Sequence, residues 1–169
     1  MKKMMTLRFA FLPLIIMLAS CNEAVVKNYK VTGAILRAEG PLYDGPNTLQ
    51  ANHQLNLQSI DPNLTPENIE SVILKRATVQ TEDSLGFNRV RNFVFQITSS
   101  DAKMLKVAAL NPVPKGRNEV DLSPAVEADL SDNFGQSEII LILDADIEGD
   151  WEENLEYSGN FEFEITYKK

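Results

Sequence analysis

The residues of this chain best suited to chemistry are its carboxylates, one histidine and one cysteine. Asp144, Asp146, Glu148 and Asp150 recur at every second position of one segment, with Gly149 among them. Alternate spacing puts such side chains on one face of an extended strand, where hard oxygen donors can share a calcium ion. Glu162 would join Asp144, Asp146 and Glu148 if its own alternating segment paired back across residues 148–158. Asp144 would then lie opposite Glu162, a like-charge pair that destabilises a sheet and that a bound cation would relieve. The competing reading of the same residues is a well-solvated acidic face. His53 stands alone, without a second histidine or a cysteine to complete a transition-metal site. Its neighbours on the same side of an alternating run are Leu49, Ala51, Leu55 and Leu57, so a core-edge histidine bonded to backbone or water is expected. The opposite side carries Gln50, Asn52, Gln54, Asn56 and Gln58, amides that could meet sugar hydroxyls as donors and acceptors. The aromatic platform usual in such sites is missing nearby, since the one tryptophan, Trp151, is far away in sequence. Cys21 offers a thiol, the most nucleophilic of the common side chains.

Some of these residues fall into patterns that resemble known motifs. Asp144 to Asp150 resembles the first half of an EF-hand calcium loop, but position twelve is Leu155 instead of Glu, and Ile139 to Leu143 reads as strand. The candidate is therefore a calcium site of another kind. Ser100-Asp101-Ala102-Lys103 and Ser131-Asp132-Asn133 resemble two of the three motifs of serine β-lactamases and penicillin-binding proteins. The third motif, K-T-G, is absent, and Ser100 falls in an expected hairpin turn where that family opens a helix. Asp83-Ser84-Leu85 resembles a short O-glycosylation acceptor of some bacterial envelope proteins, which would put glycan on a turn. No catalytic residue is assigned, and the chain reads as a non-enzyme.

The N-terminus is more specific. Lys2, Lys3 and Arg8 precede an apolar run from Phe9 to Met17, and small residues follow. This is the build of a secretory signal, too short for the roughly 20 apolar residues of a membrane span. Leu18-Ala19-Ser20-Cys21 resembles the lipobox of bacterial lipoproteins. The resemblance implies cleavage before Cys21, diacylation of its sulfur and a place in the cell envelope. Two or three acyl chains, each buried methylene contributing roughly 0.8 kcal/mol, anchor stably where one would not. Asn22 lacks the aspartate that retains such proteins in the inner membrane, so the outer membrane is implied if the cell has one.

Removal of residues 1–20 leaves 149 of the 169 residues, one domain of common size. The removed segment holds three of the 16 basic residues and none of the 24 acidic ones, so the remainder carries a net charge of −11. Such a surface repels nucleic acid and anionic headgroups. With Cys21 acylated no thiol remains, and the fold must stand without disulfides.

The elements that would position these residues are strands. Alternation or β-branched enrichment predicts them at 29–37, 49–59, 72–79, 91–98, 104–110, 138–147 and 161–167, with residues 21–28 as a tether. Thr65-Pro66 predicts a helical turn near 66–71, and Ser123-Pro124 a short helix reaching Leu130 with Val126 and Leu130 on one face. Seven strands joined by polar turns predict an antiparallel β-sandwich of immunoglobulin-like architecture over residues 29–169. The expected function is a lipid-anchored binding or structural module, with another envelope protein as partner. A calcium-dependent or small-ligand module, carbohydrate included, is the alternative.

Overall fold

The computed structural model describes residues 23–83 and 86–169. The lipobox with Cys21, and Ser84-Leu85 of the acceptor tripeptide, lie outside the described residues.

Among the described residues there are eight strands: β1 (Ala24–Ala38), β2 (Gly45–Gln54), β3 (Ile69–Gln80), β4 (Val90–Thr98), β5 (Leu105–Leu110), β6 (Glu119–Pro124), β7 (Glu138–Ile147) and β8 (Leu155–Lys168). They form one closed barrel in the order β1-β2-β7-β4-β5-β6-β3-β8, and β8 pairs back onto β1. Every neighbouring pair is antiparallel. The chain is all-β as expected, but the barrel overturns the expected sandwich. Alternation fixes which side chains turn inward. It does not fix whether those inward faces stack as two sheets or wrap around an axis. The strand count misled as well. No strand was expected at β6, and Ser123-Pro124 was expected to open a helix, yet Val120 and Leu122 alternate inward and Pro124 ends the strand. Val126 is 89% exposed and Leu130 fully buried, so they share no helix face; the α-helical turn among the described residues, α1, is Ser131–Phe134. Residues 24–28, expected to be tether, are strand and pair with 164–168 of β8.

Since every pair is antiparallel, the loops divide between two rims. One rim carries the start of β1, the end of β8 and the β2–β3, β4–β5 and β6–β7 connections. The other carries β1–β2, β3–β4, β5–β6 and β7–β8. They are called here the near and far rims.

Aromatic rings fill the barrel in three levels. Towards the far rim Phe87, Phe93 and Tyr157 meet edge to face, with centroids 5.2 to 5.6 Å apart. Midway Phe95 and Phe161 stack at 4.2 Å, with planes 5° apart. Towards the near rim Phe134 of α1 packs on Phe163 at 5.0 Å and on Tyr29 at 5.9 Å. Connections close both mouths: Leu57, Leu64, Leu130 and Phe134 are buried at the near end, and Leu42, Phe87 and Val113 at the far end. An eight-stranded barrel is just wide enough for side chains to fill, and here they do.

The outer wall is polar. Arg37 pairs with Glu156 at 3.3 Å, Lys30 with Glu162 at 3.0 Å and Lys75 with Glu164 at 3.6 Å. A membrane-spanning barrel has the reverse arrangement, an apolar band outside. The wall is uneven in strength. β1 and β8 pair from Ala24↔Lys168 to Ala38↔Leu155, whereas β1 and β2 meet in register only at Arg37↔Gln50. On the β8 side a bulge lies between Val31 and Ala34; Gly33 supplies its positive φ of 66° and donates its N–H to Asn160 Oδ1 at 2.9 Å.

Candidate functional site

β7 lies between β2 and β4, and β8 between β1 and β3. The expected hairpin of the last two segments therefore does not form. Asp144 faces Thr48 and Val94, and Glu162 faces Lys30 and Arg76. The structure keeps Glu162 apart from Asp144, Asp146 and Glu148, and each carboxylate of that set meets donors. Thr48 Oγ1 donates to Asp144 Oδ1 at 2.7 Å, and Gln96 Nε2 to Oδ2 at 2.6 Å. Arg91 Nη1 donates to Asp146 Oδ1 at 2.7 Å, and Asn92 Nδ2 to Oδ2 at 2.9 Å. Glu148 lies 3.7 Å from Lys115 Nζ, and Glu162 3.0 Å from Lys30 Nζ. The like-charge pair that would have called for a cation does not form, and side-chain donors meet each of these carboxylates.

The acidic strand end instead ties the far rim together. Arg91 Nη2 donates to Asp44 Oδ1 at 2.5 Å, and the Gly149 N–H donates to the same oxygen at 2.9 Å. The Gly149 amide and Arg91 hold the Asp44 carboxyl below the ordinary carboxylate range. Arg89 donates to the carbonyls of Glu148 and Asp150 and lies 4.8 Å over the Trp151 ring. Leu42 and Trp151 exchange both backbone hydrogen bonds.

His53 Nε2 is 2.7 Å from the Tyr29 hydroxyl, across the thinly paired β1–β2 seam. Burial lowers the imidazole pKa below its usual value, which leaves the ring neutral near pH 7 and able to accept from the phenol. The amides Gln50, Asn52 and Gln54 are exposed on β2 as alternation predicted, while Trp151 lies on the far rim. Ser100 lies in the turn between β4 and β5, where its hydroxyl donates to Asp101 at 3.1 Å. Asn133 in α1 is buried and donates to the Lys103 carbonyl at 3.4 Å, so the two serine-enzyme-like motifs touch there, and Ser100 opens no helix.

A wide depression among the described residues is one that sequence reasoning missed. It measures about 740 Å³ and opens on the outer surface between the far ends of β1, β3, β6 and β8. Its lining includes Ile35, Gln80, Asn118, Trp151, Asn154 and Tyr157. Burial, then the charge of Asp83, raises the Tyr157 phenol pKa far above the ordinary value, so the ring enters as a neutral hydroxyl. These residues come from four separate stretches of the chain. The one sequence signal was Trp151 itself, a large aromatic in an otherwise polar loop.

Fold and surface together define the class: a solid-cored, closed, eight-stranded antiparallel barrel with a polar outer wall. No protein-family model matches the chain, and no curated protein matches it in sequence.

Proposed function

We propose that this chain is a lipid-anchored cell-envelope protein whose barrel acts as a non-enzymatic binding or structural module, with another envelope protein as its partner. The observation that carries the reading is the filled barrel. With both mouths closed by buried side chains, the outer surface is what the fold offers to a partner. Cys21 supplies the anchor, and the outer membrane is the leaflet system favoured by Asn22.

The test has two arms in cells that carry the acylation enzymes. A Cys21→Ala chain is expected to lose metabolic labelling by fatty acid and to leave the membrane fraction. Photo-crosslinking from outward-facing positions such as Gln50 and Ile35 is expected to trap one recurrent envelope protein. Persistence of Cys21→Ala in the membrane would overturn the anchor, and crosslinks to no protein beyond background would overturn the partner.

A second reading, a small-ligand module, is supported by the cleft beside Trp151. Its volume falls in the range of roughly 300–1,000 Å³ usual for ligand sites. Trp151 with Asn118, Asn154 and Gln80 brings together an aromatic ring and amides, the pairing that sugars need and that the β2 amide row lacks. Quenching of the single tryptophan by added oligosaccharides, abolished by Asn154→Ala, is the expected signature of this reading.

A further inference from the structure

We infer that the near rim of the barrel rests on the lipid surface, with Val26, Met104 and Val126 in contact with it, and that the far rim points away from the membrane. The inference rests on the reading of Cys21 as the lipid-attachment site. Its geometric basis is the start of β1. The strand begins at Ala24, three residues after Cys21, and is paired with Lys168 of β8 from that first residue. Whatever path the chain takes between Cys21 and Ala24, three residues span at most about 10–11 Å. Strands of 10 to 14 residues, tilted as barrels require, set the far rim roughly 25–35 Å away. A tether that short holds the near rim at the bilayer while β1 stays in the barrel, and the far rim can reach the lipid only if the barrel lies on its side.

The near rim has the surface such a position needs. Val126 is 89% exposed in the β6–β7 connection, Met104 51% exposed at the β4–β5 turn, and Val26 56% exposed on the first turn-out of β1. The two loop positions are the tips that would enter the interface first. Beside the anchor, Lys27 pairs with Asp61 at 3.7 Å and Lys168 with Glu70 at 2.7 Å. Those pairs neutralise part of the acid that would otherwise push the rim from headgroups. Among the described residues the other exposed large hydrophobic ones, Ile35 and Tyr43, belong to the upper part of β1 and to the far rim. A barrel lying on its β1 side would bring Ile35 down to the lipid; an upright barrel keeps it in water.

The chain offers a clean assay, because Cys21 is its only cysteine and acylation consumes that thiol. Full-length chains with Met104→Cys, Val126→Cys, Ile35→Cys or Tyr43→Cys are expressed with acylation and labelled with an environment-sensitive dye. They are then reconstituted in phosphatidylcholine vesicles that contain a phosphatidylcholine spin-labelled on its acyl chain. Quenching is expected to be several-fold stronger at positions 104 and 126 than at 35 and 43. Equal quenching at all four, or the strongest at 35 or 43, overturns the orientation. A Cys21→Ala control separates the two levels of failure. If it leaves the vesicles and the dyes still do not differ, the anchor stands and the orientation falls; if it stays bound, both fall.

Discussion

Gly159 holds open the space in which the central aromatic pair stacks. It is buried in β8, and a Cβ there would come within 2.4 Å of Phe161 Cζ, 2.6 Å of Cε2 and 3.2 Å of Leu36 Cδ1. Its φ lies outside the left-handed region, so alanine would meet no backbone penalty and the whole effect is one of packing. The Phe161 ring cannot swing aside freely, because it stacks on Phe95 at 4.2 Å and both rings are buried. Overpacking of this kind costs roughly 1–3 kcal/mol, and displacement of the stack adds about 0.5–1.5 kcal/mol. The lower chain entropy of unfolded alanine returns about 0.4–1 kcal/mol. Gly159→Ala is therefore expected to destabilise by about 2 kcal/mol, a fall in Tm of roughly 4–8 °C for a domain of this size. Phe161→Ala alone should cost about 3–5 kcal/mol through its cavity. In that background the clash with the ring is gone and only the 3.2 Å approach to the flexible end of Leu36 remains, so Gly159→Ala should be neutral or stabilising by up to ~1 kcal/mol. Urea and thermal unfolding of the four proteins, followed by circular dichroism, measure this coupling, about 2 kcal/mol or more. Additive losses, or a neutral Gly159→Ala in the parent chain, would refute the packing argument.

Three further outcomes are expected. The His53 imidazole, lowered by burial, should titrate by NMR below the ordinary value of about 6.5, so its share of stability is complete above that pH and is lost as pH falls through the interval beneath it; Tyr29→Phe should move that midpoint. Asp44, Asp61 and Asp121 all have carboxyl pKa values below normal, Asp61 at about 2 chiefly through the Asn63 backbone N–H, so their share of stability should be complete above about pH 4 and be lost from there towards pH 2, with Asp61→Asn reducing that slope. Calcium should give no calorimetric heat and no Tm shift, because donors from β2 and β4 already occupy Asp144 and Asp146; saturable binding lost in Asp144→Asn would show that those hydrogen bonds yield to an ion.

Period-two patterning made most of the wall legible. The inward sets Phe93, Phe95, Ile97 and Phe161, Phe163, Ile165, Tyr167 are buried as alternation demands, and Thr65-Pro66 does open a helical turn, a 3-10 one at Pro66–Asn68. What sequence could not convey was neighbourhood. Nothing in Asp144 says that its flanking strands will bring Thr48 and Gln96, residues 96 and 48 positions away, and not Glu162. β6 escaped because only Val120 and Leu122 alternate inward before Pro124, too brief a pattern to stand out. The cleft beside Trp151 was invisible for the same reason as the barrel: it exists only after four distant segments converge.

The order of strands also bears on when this chain can fold. β8 follows the other seven described strands in sequence, yet it lies between β1, the first of them, and β3, and it carries the most extensive pairing of both. Until residue 155 and beyond have emerged, no closed barrel exists, and closure over such a sequence separation is slow. Under the export reading proposed above, that delay keeps the polypeptide open while it is threaded, because the barrel can shut only once β8 has crossed. The same arrangement makes early termination hazardous, since a product ending before Leu155 would present β1 and β3 as two bare edges free to pair with other chains.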